Sequence, residues 1–407
     1  MTRVSARRIA WQDMRVNLAA HPFAWPAARA LRNLGAAVRV PGVGVVVNSA
    51  LLAHDVLSQD RTFVKQGPGS IADAFTRAFG PSALANMDGQ AHRDLRQRLG
   101  PLASASQADS WLASARAPFE RAVHAISRGK TVDLARTSRE LSGRLTLTMM
   151  GAIPERVAPK DEAGIDHAAR DVHALGERIA SSLQLNDLSK PISPNVQADL
   201  ARLLAYANDA FARDDLPPAS LVARLKALGC DAVETRGILS IFFVAGALTL
   251  GVALPRIAAL LIESGQLTSV RDDPAAIVRA VDEGLRYTCP VPATMRIAAS
   301  DETVGPIRVR KGERLLILTA NLSRDPELFP NPDTFDVTRQ HDARARYLWY
   351  GAGPHFCLGF TLAQRTLQYA VGALAAVPGS LRVVRRRSAR GVLLPAWLEL
   401  HVARRTS

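Results

Sequence analysis

The sequence predicts a mainly α chain with a small β region. Three observations carry that. Helical patterning runs from Asp109 to Met150 and again from Asp161 to Arg213. An uncharged run, Gly237 to Leu254, reads as a buried central helix. The β-branched runs are short and bounded by turn residues, as at Ala36 to Val40 and Gly44 to Asn48.

The 407 residues are 48% hydrophobic and 22% charged, an ordinary balance for a soluble globular chain, and large single-core enzymes reach this length. The formal net charge of +14 suits nucleic acid, a membrane surface or an acidic protein partner, or reflects arginine-rich genome composition alone. Only 5% of residues are aromatic and no stretch interleaves them with basic ones, so nucleic acid is not an expected partner. Cys230, Cys289 and Cys357 lie far apart, which suits a reducing cytoplasm better than a disulfide framework. Met1 to Ala20 carries charges throughout, so neither a signal peptide nor a membrane anchor is expected there. The run from Gly237 to Leu254 is just long enough to span a membrane, but its glycines and hydroxyls favour a central helix of a soluble domain.

In chain order, the pattern from Arg29 to Phe63 is helix, hairpin, helix, with Pro41-Gly42 at the turn and Ser49 capping the second helix. Gln66 to Asn86 is rich in Gly, Pro, Ser and Ala and reads as a loop with one short helix at most. His92 and Arg96, four apart, share a helix face and can donate to a common anion. Between Asp161 and Arg213 two long amphipathic helices flank a break at Leu185 to Pro191. Pro255 should kink or end the first half of the central helix. Thr249 on that helix reads, on residue type alone, as a threonine bonding back one turn. Glu283 and Arg286, three apart, are ordinarily a weak surface pair. Extended runs follow from Pro290 to Thr319, and Leu381 to Arg387 with Trp397 to Val402 reads as a last hairpin turning at Gly391.

The most informative stretch is Tyr350-Gly351-Ala352-Gly353-Pro354-His355-Phe356-Cys357-Leu358-Gly359, followed by an apolar-periodic helix from Phe360 to Val377. A cysteine just ahead of a helix has unpaired N–H groups and a positive dipole end beside its sulfur, which favours the thiolate and metal binding. Glycines at 351, 353 and 359 let the backbone turn and approach a flat partner. A buried apolar cysteine is the competing reading. Zinc is poorly served, because His355 and Cys357 are the only close ligand pair, and a dinucleotide loop would need glycine where Phe356 stands.

The whole stretch resembles the haem-ligand loop of the cytochrome P450 family, an aromatic and then Gly-x-Gly-x-His/Arg-x-Cys-x-Gly, with Tyr350 where Phe is usual. The resemblance implies the cytochrome P450 fold: a single haem-containing domain over 1–407, lid helices at about 161–213, a central distal helix at about 232–262 and the haem-ligand loop at 350–359. It implies haem b, with Cys357 as its thiolate ligand and His355, His92, Arg96 and Arg296 on its propionates. Gly351 and Gly359 belong to the same loop. Glu283, Arg286 and Arg339 would form a buried structural fork. Ala245-Gly246-Ala247-Leu248-Thr249 matches the family's Ala/Gly-Gly-x-Asp/Glu-Thr, in which the helix widens, the threonine supports dioxygen and the acid relays protons. Here the acid's place is Leu248.

By the same resemblance the chain is expected to be a soluble bacterial monooxygenase of secondary metabolism. It would insert one oxygen atom from O2 into a small lipophilic substrate, with electrons from a ferredoxin and its reductase. The missing acid keeps open a relay-free alternative: a peroxide-driven oxygenase, a nitric oxide reductase, or an isomerase or dehydratase. A non-catalytic haem-binding or recruitment module is a third reading. Substrate contacts are expected from Gly67 to Leu84, the lid, Ala245 to Thr249, Val291 to Thr294 and the hairpin tip Val392 to Leu394.

Overall fold

The uncharged run lies inside one helical rod, Ala232–Ser264, in a computed structural model that describes residues 3–67, 69–152, 161–185 and 193–405. Asp231 starts the rod with a capping box: Glu234 N donates to Asp231 Oδ1 at 2.8 Å, and Asp231 N donates to Glu234 Oε2 at 3.3 Å. Gly265, at φ 73°, ends it. The rod's most apolar window is 71% buried, so this is the core helix of the fold. Pro255 neither ends nor divides it, contrary to the sequence expectation. Ala253, Leu254, Ile257 and Ala258 around it are buried, and their packing outweighs one lost backbone bond. The irregularity lies earlier, at Phe242–Gly246, where the helix widens into a π turn.

The other helices surround this rod. The expected helical stretch from Asp109 to Met150 is three helices, Ala105–Ala115, Ala117–Ser127 and Leu134–Met149, and the last packs along the rod. The two amphipathic helices are Glu162–Leu185 and Pro194–Ala212; the break from Asn186 to Pro191 lies outside the described residues. Gln66 to Asn86 contains one short α-helix, Ile71–Phe79, within its loop, as the sequence reading allows. Ser70 Oγ accepts from Asp73 N at 3.0 Å, and the sparse apolar residues Phe75 and Phe79 bury one face.

A five-stranded sheet runs in the order 37–40, 44–47, 314–317, 294–298 and 63–64, with the expected hairpin at its edge. Ser49 makes no capping bond; Asp325 reaches across and accepts from Ala50 N at 2.8 Å. The last hairpin pairs Leu381–Ser388 with Trp397–Arg404, and Gly391 sits in its connection at φ 61°.

The Glu283 fork is present, with Glu283 and Arg286 fully buried and Arg339 partly so. Arg286 donates to both Glu283 oxygens at 2.7 and 2.8 Å, and Arg339 Nε lies 3.2 Å from Oε2. His341 Nε2 is 3.3 Å from the same oxygen, and Asp336 N donates to Oε1 at 2.9 Å. Burial alone would raise the carboxyl's pKa, but these donors, Arg286 first, hold it at about 2.

Candidate functional site

Two one-turn 3-10 segments, Leu348–Tyr350 and Gly353–His355, fold the loop back so that Cys357 N donates to Tyr350 O at 3.0 Å. The helix Phe360–Ala375 starts three residues beyond the cysteine, with Gly359 as its N-cap. Gly353, at φ 62°, is pressed against the protein and not against a ligand: a Cβ there would fall 2.7 Å from Ser58 Cα and 2.8 Å from Leu57 O. Gly351 serves the turn, at φ 86°. At Gly359 a Cβ would meet only Cys357 Sγ, at 3.8 Å.

Cys357, Gly351 and Gly359 line a cavity of about 340 Å³. Burial pushes the Cys357 thiol up despite the Gly359 N–H and the nearby Arg96 and Lys65 charges. The N–H at the helix start favours the thiolate, as expected, but burial outweighs it.

One end of the cavity collects basic side chains. His92 and Arg96 come from the helix Gly89–Arg98, Arg296 from the strand Thr294–Ala298 and His355 from the loop. Lys65, which no sequence pattern singles out, joins them. The rings of His92 and His355 stack at 4.1 Å, 28° from parallel. Burial first, then Arg96 and Lys65, lowers the pKa of His92; burial, with Lys65 and Arg296, lowers that of His355 to about 4 against the opposing pull of Asp88. Burial brings Arg296 down to about 10 and, with Arg296 beside it, Lys65 down to about 7. Asp88 lies close by and is engaged: Lys65 N and Gln66 N donate to it at 2.8 to 3.0 Å, and His355 Nε2 lies 3.5 Å away. Arg296 Nε and His92 Nδ1 are buried without a hydrogen-bond partner among the described residues. Buried donors of this kind call for an anion with several acceptors.

The widened turn of the central helix forms another wall. Ala245, Gly246 and Thr249 line the cavity, and a Cβ on Gly246 would meet nothing within 4 Å. Thr249 Oγ1 donates to Ala245 O at 2.8 Å, the one-turn bond its residue type suggests, made at the cavity surface. Leu248 is buried at 5% exposure and does not line the cavity. Among the described residues no Asp or Glu lines it.

The remaining walls differ in part from expectation. Val291 and Thr294 line the cavity, but Leu84 alone does so from Gly67 to Leu84. None of the described residues of 162–185 or 194–212 takes part. Nor does the hairpin tip, which turns instead to the first helix, Arg3–Ala20, and its end: Leu393 O lies 2.9 Å from His21 Nε2. Ile238, Ile241 and Phe242 contribute apolar surface that the loop-centred sequence reading did not single out.

A family model described as Cytochrome P450 matches residues 277–374. The biotin biosynthesis cytochrome P450 of Bacillus subtilis (strain 168) is 39% identical over 115 residues, 28% of each chain. The 6-deoxyerythronolide B hydroxylase of Saccharopolyspora erythraea is 41% identical over 115 residues, again 28% of each. Cytochrome P450-terp of Pseudomonas sp. is 42% identical over 99 residues, 24% of this chain and 22% of that one. The chain thus spans about a quarter of the length of these curated relatives. Likeness of fold reaches much further. Epothilone D-bound cytochrome P450epoK superposes with a TM-score of 0.79 at 21% identity, covering 96% of this chain and 98% of that one. P450BioI in complex with an acyl carrier protein gives 0.77 at 21% identity, covering 96% and 99%. Residues 277–374 thus resemble the cytochrome P450 family, and over 96% of its length the chain has the fold of solved P450 structures.

P450 proteins carry haem b, and the cavity of this chain suits such a group. Gly246 and Gly359 leave open space for a flat molecule, the orphaned donors suit its two carboxylates, and Cys357 offers a soft ligand for iron.

Proposed function

We propose that this chain is a cytochrome P450 acting as a haem-thiolate monooxygenase, which inserts one oxygen atom from O2 into a small lipophilic substrate and draws electrons from a ferredoxin and its reductase. One observation carries the reading: Cys357, the buried basic side chains and Thr249 in its widened helical turn all border one cavity whose other walls are apolar. Haem, when bound, supplies the one-electron and dioxygen chemistry. Cys357 would ligate its iron, and His92, Arg96, Arg296 and His355 would hold its carboxylates. The formal charge of +14 suits an acidic electron donor, and the free cysteines suit the cytoplasm.

The chain's own residues would do the rest. Leu84, Ile238, Ile241, Phe242 and Val291 exclude water and orient an uncharged substrate by shape. Thr249 can turn its hydroxyl from Ala245 O toward the cavity and pass a proton there, to be refilled from water or a polar group of the substrate.

A second reading is favoured by the missing carboxylate: relay-free chemistry as a peroxide-driven oxygenase, a nitric oxide reductase, or an isomerase or dehydratase. The test supplies purified holoprotein and a library of lipophilic compounds with NADPH, surrogate ferredoxin and reductase in air, or with hydrogen peroxide alone. Oxygenated product only with the reductase supports the monooxygenase. Product only with peroxide, or none in either, moves the assignment to the second reading, with nitric oxide consumption measured next.

A further inference from the structure

Lys65 sits one residue past a short strand, Phe63–Val64, that pairs antiparallel with 297–298, Val64 opposite Ile297. Continuing that register by one residue sets Lys65 opposite Arg296, two cations side by side in a buried wall. Like charges so placed repel, and burial removes the water that would screen them. The nearby carboxylate, Asp88, relieves this only in part. Asp88 accepts from the backbone N–H of Lys65 and Gln66, and among the described residues no ion pair joins it to the Lys65 ammonium. Lys65 Nζ donates to Ala85 O at 2.7 Å, which uses one of its three donors. Arg296 Nε, across the strand pair, has no partner at all.

We propose that Lys65 is a further binding residue for the carboxylates of the haem, acting beside Arg296 as a donor that the family's sequence motifs do not mark. Its anchorage to Ala85 O fixes the ammonium at the cavity edge, so little side-chain freedom is lost when the anion arrives. The inference rests on the haem reading of the cavity but not on the oxygen chemistry.

The test follows haem loss from the holoprotein to excess apomyoglobin, using haem and haem dimethyl ester, which lacks the carboxylates. With haem, Lys65→Met is expected to lose the group about tenfold faster than the unsubstituted protein and Lys65→Arg nearly as slowly. With the dimethyl ester, Lys65→Met and the unsubstituted protein are expected to lose it at the same rate. An unchanged rate with haem, or equal acceleration with both forms, overturns the proposal and leaves Lys65 as a strap to Ala85 alone. Loss is followed without turnover, so failure of the monooxygenase reading by itself produces neither contradicting result.

Discussion

Glu283 and Arg286, one turn apart on the helix Pro274–Thr288, exchange two hydrogen bonds of 2.7 and 2.8 Å with neither side chain exposed. Arg339 and His341 close on the same carboxylate, tying the segment 335–341 to the helix on the chain's approach to the cysteine loop. Glu283→Gln keeps the shape but leaves two arginines without their counter-charge. A loss of about 3–5 kcal/mol is expected, read as a lower urea midpoint. An unchanged midpoint would mean that the fork is not a support of the fold.

The same carboxylate sets an acid limit. Its pKa is held at about 2, below the ordinary 4.5, so its contribution is complete above pH 4.5 and is lost as pH falls toward 2. The depression corresponds to about 3 kcal/mol. Urea unfolding of Glu283→Gln and of the unsubstituted protein should differ at pH 6 and converge near pH 2. A constant difference would contradict the assignment.

Thr249→Val should leave the fold within about 1 kcal/mol, since the hydroxyl bonds only within its own turn, yet divert electrons from product roughly tenfold. Product formed per NADPH consumed is the measurement. Leu248→Glu has a different expected outcome, because residue 248 lies in the core and not at the cavity. Its carboxylate should cost about 2 kcal/mol or more in stability and restore no relay. A gain in coupling without loss of stability would count against that placement.

The loop glycines are separable. Gly353→Ala sets a Cβ against Ser58 at a positive φ and should destabilise the fold by about 1–3 kcal/mol. Gly359→Ala meets only the cysteine sulfur at 3.8 Å, so it should fold normally and bind haem less tightly. Thermal melts of both apoproteins with haem titrations distinguish the two.

Much of the architecture was legible because its signals are local. The Cys357 loop, the paired spacing of His92 and Arg96, the central apolar run and the hairpins each announce themselves within a few residues. What escaped depends on contacts far apart in sequence. Asp13 in the first helix holds Arg256 at 2.6 Å and Arg324 at 3.1 Å, and no local pattern pairs them. Lys65 and Asp88 become site residues only when the sheet brings 63–64 beside 297–298. The short helix allowed between Gln66 and Asn86 could not be placed at Ile71–Phe79, because glycine, proline and serine around it outweigh two phenylalanines four apart. The hairpin tip misled for the opposite reason: its apolar residues suit a substrate pocket, yet it turns to the end of the first helix.

The most direct test of the central claim is the spectrum of the reduced carbon monoxide complex, taken on the holoprotein and on Cys357→Ser. The account predicts the red-shifted Soret band of a thiolate-ligated haem in the first and its disappearance in the second, with haem still bound. The same band in both proteins would mean that Cys357 is not the ligand, and the site would have to be reassigned.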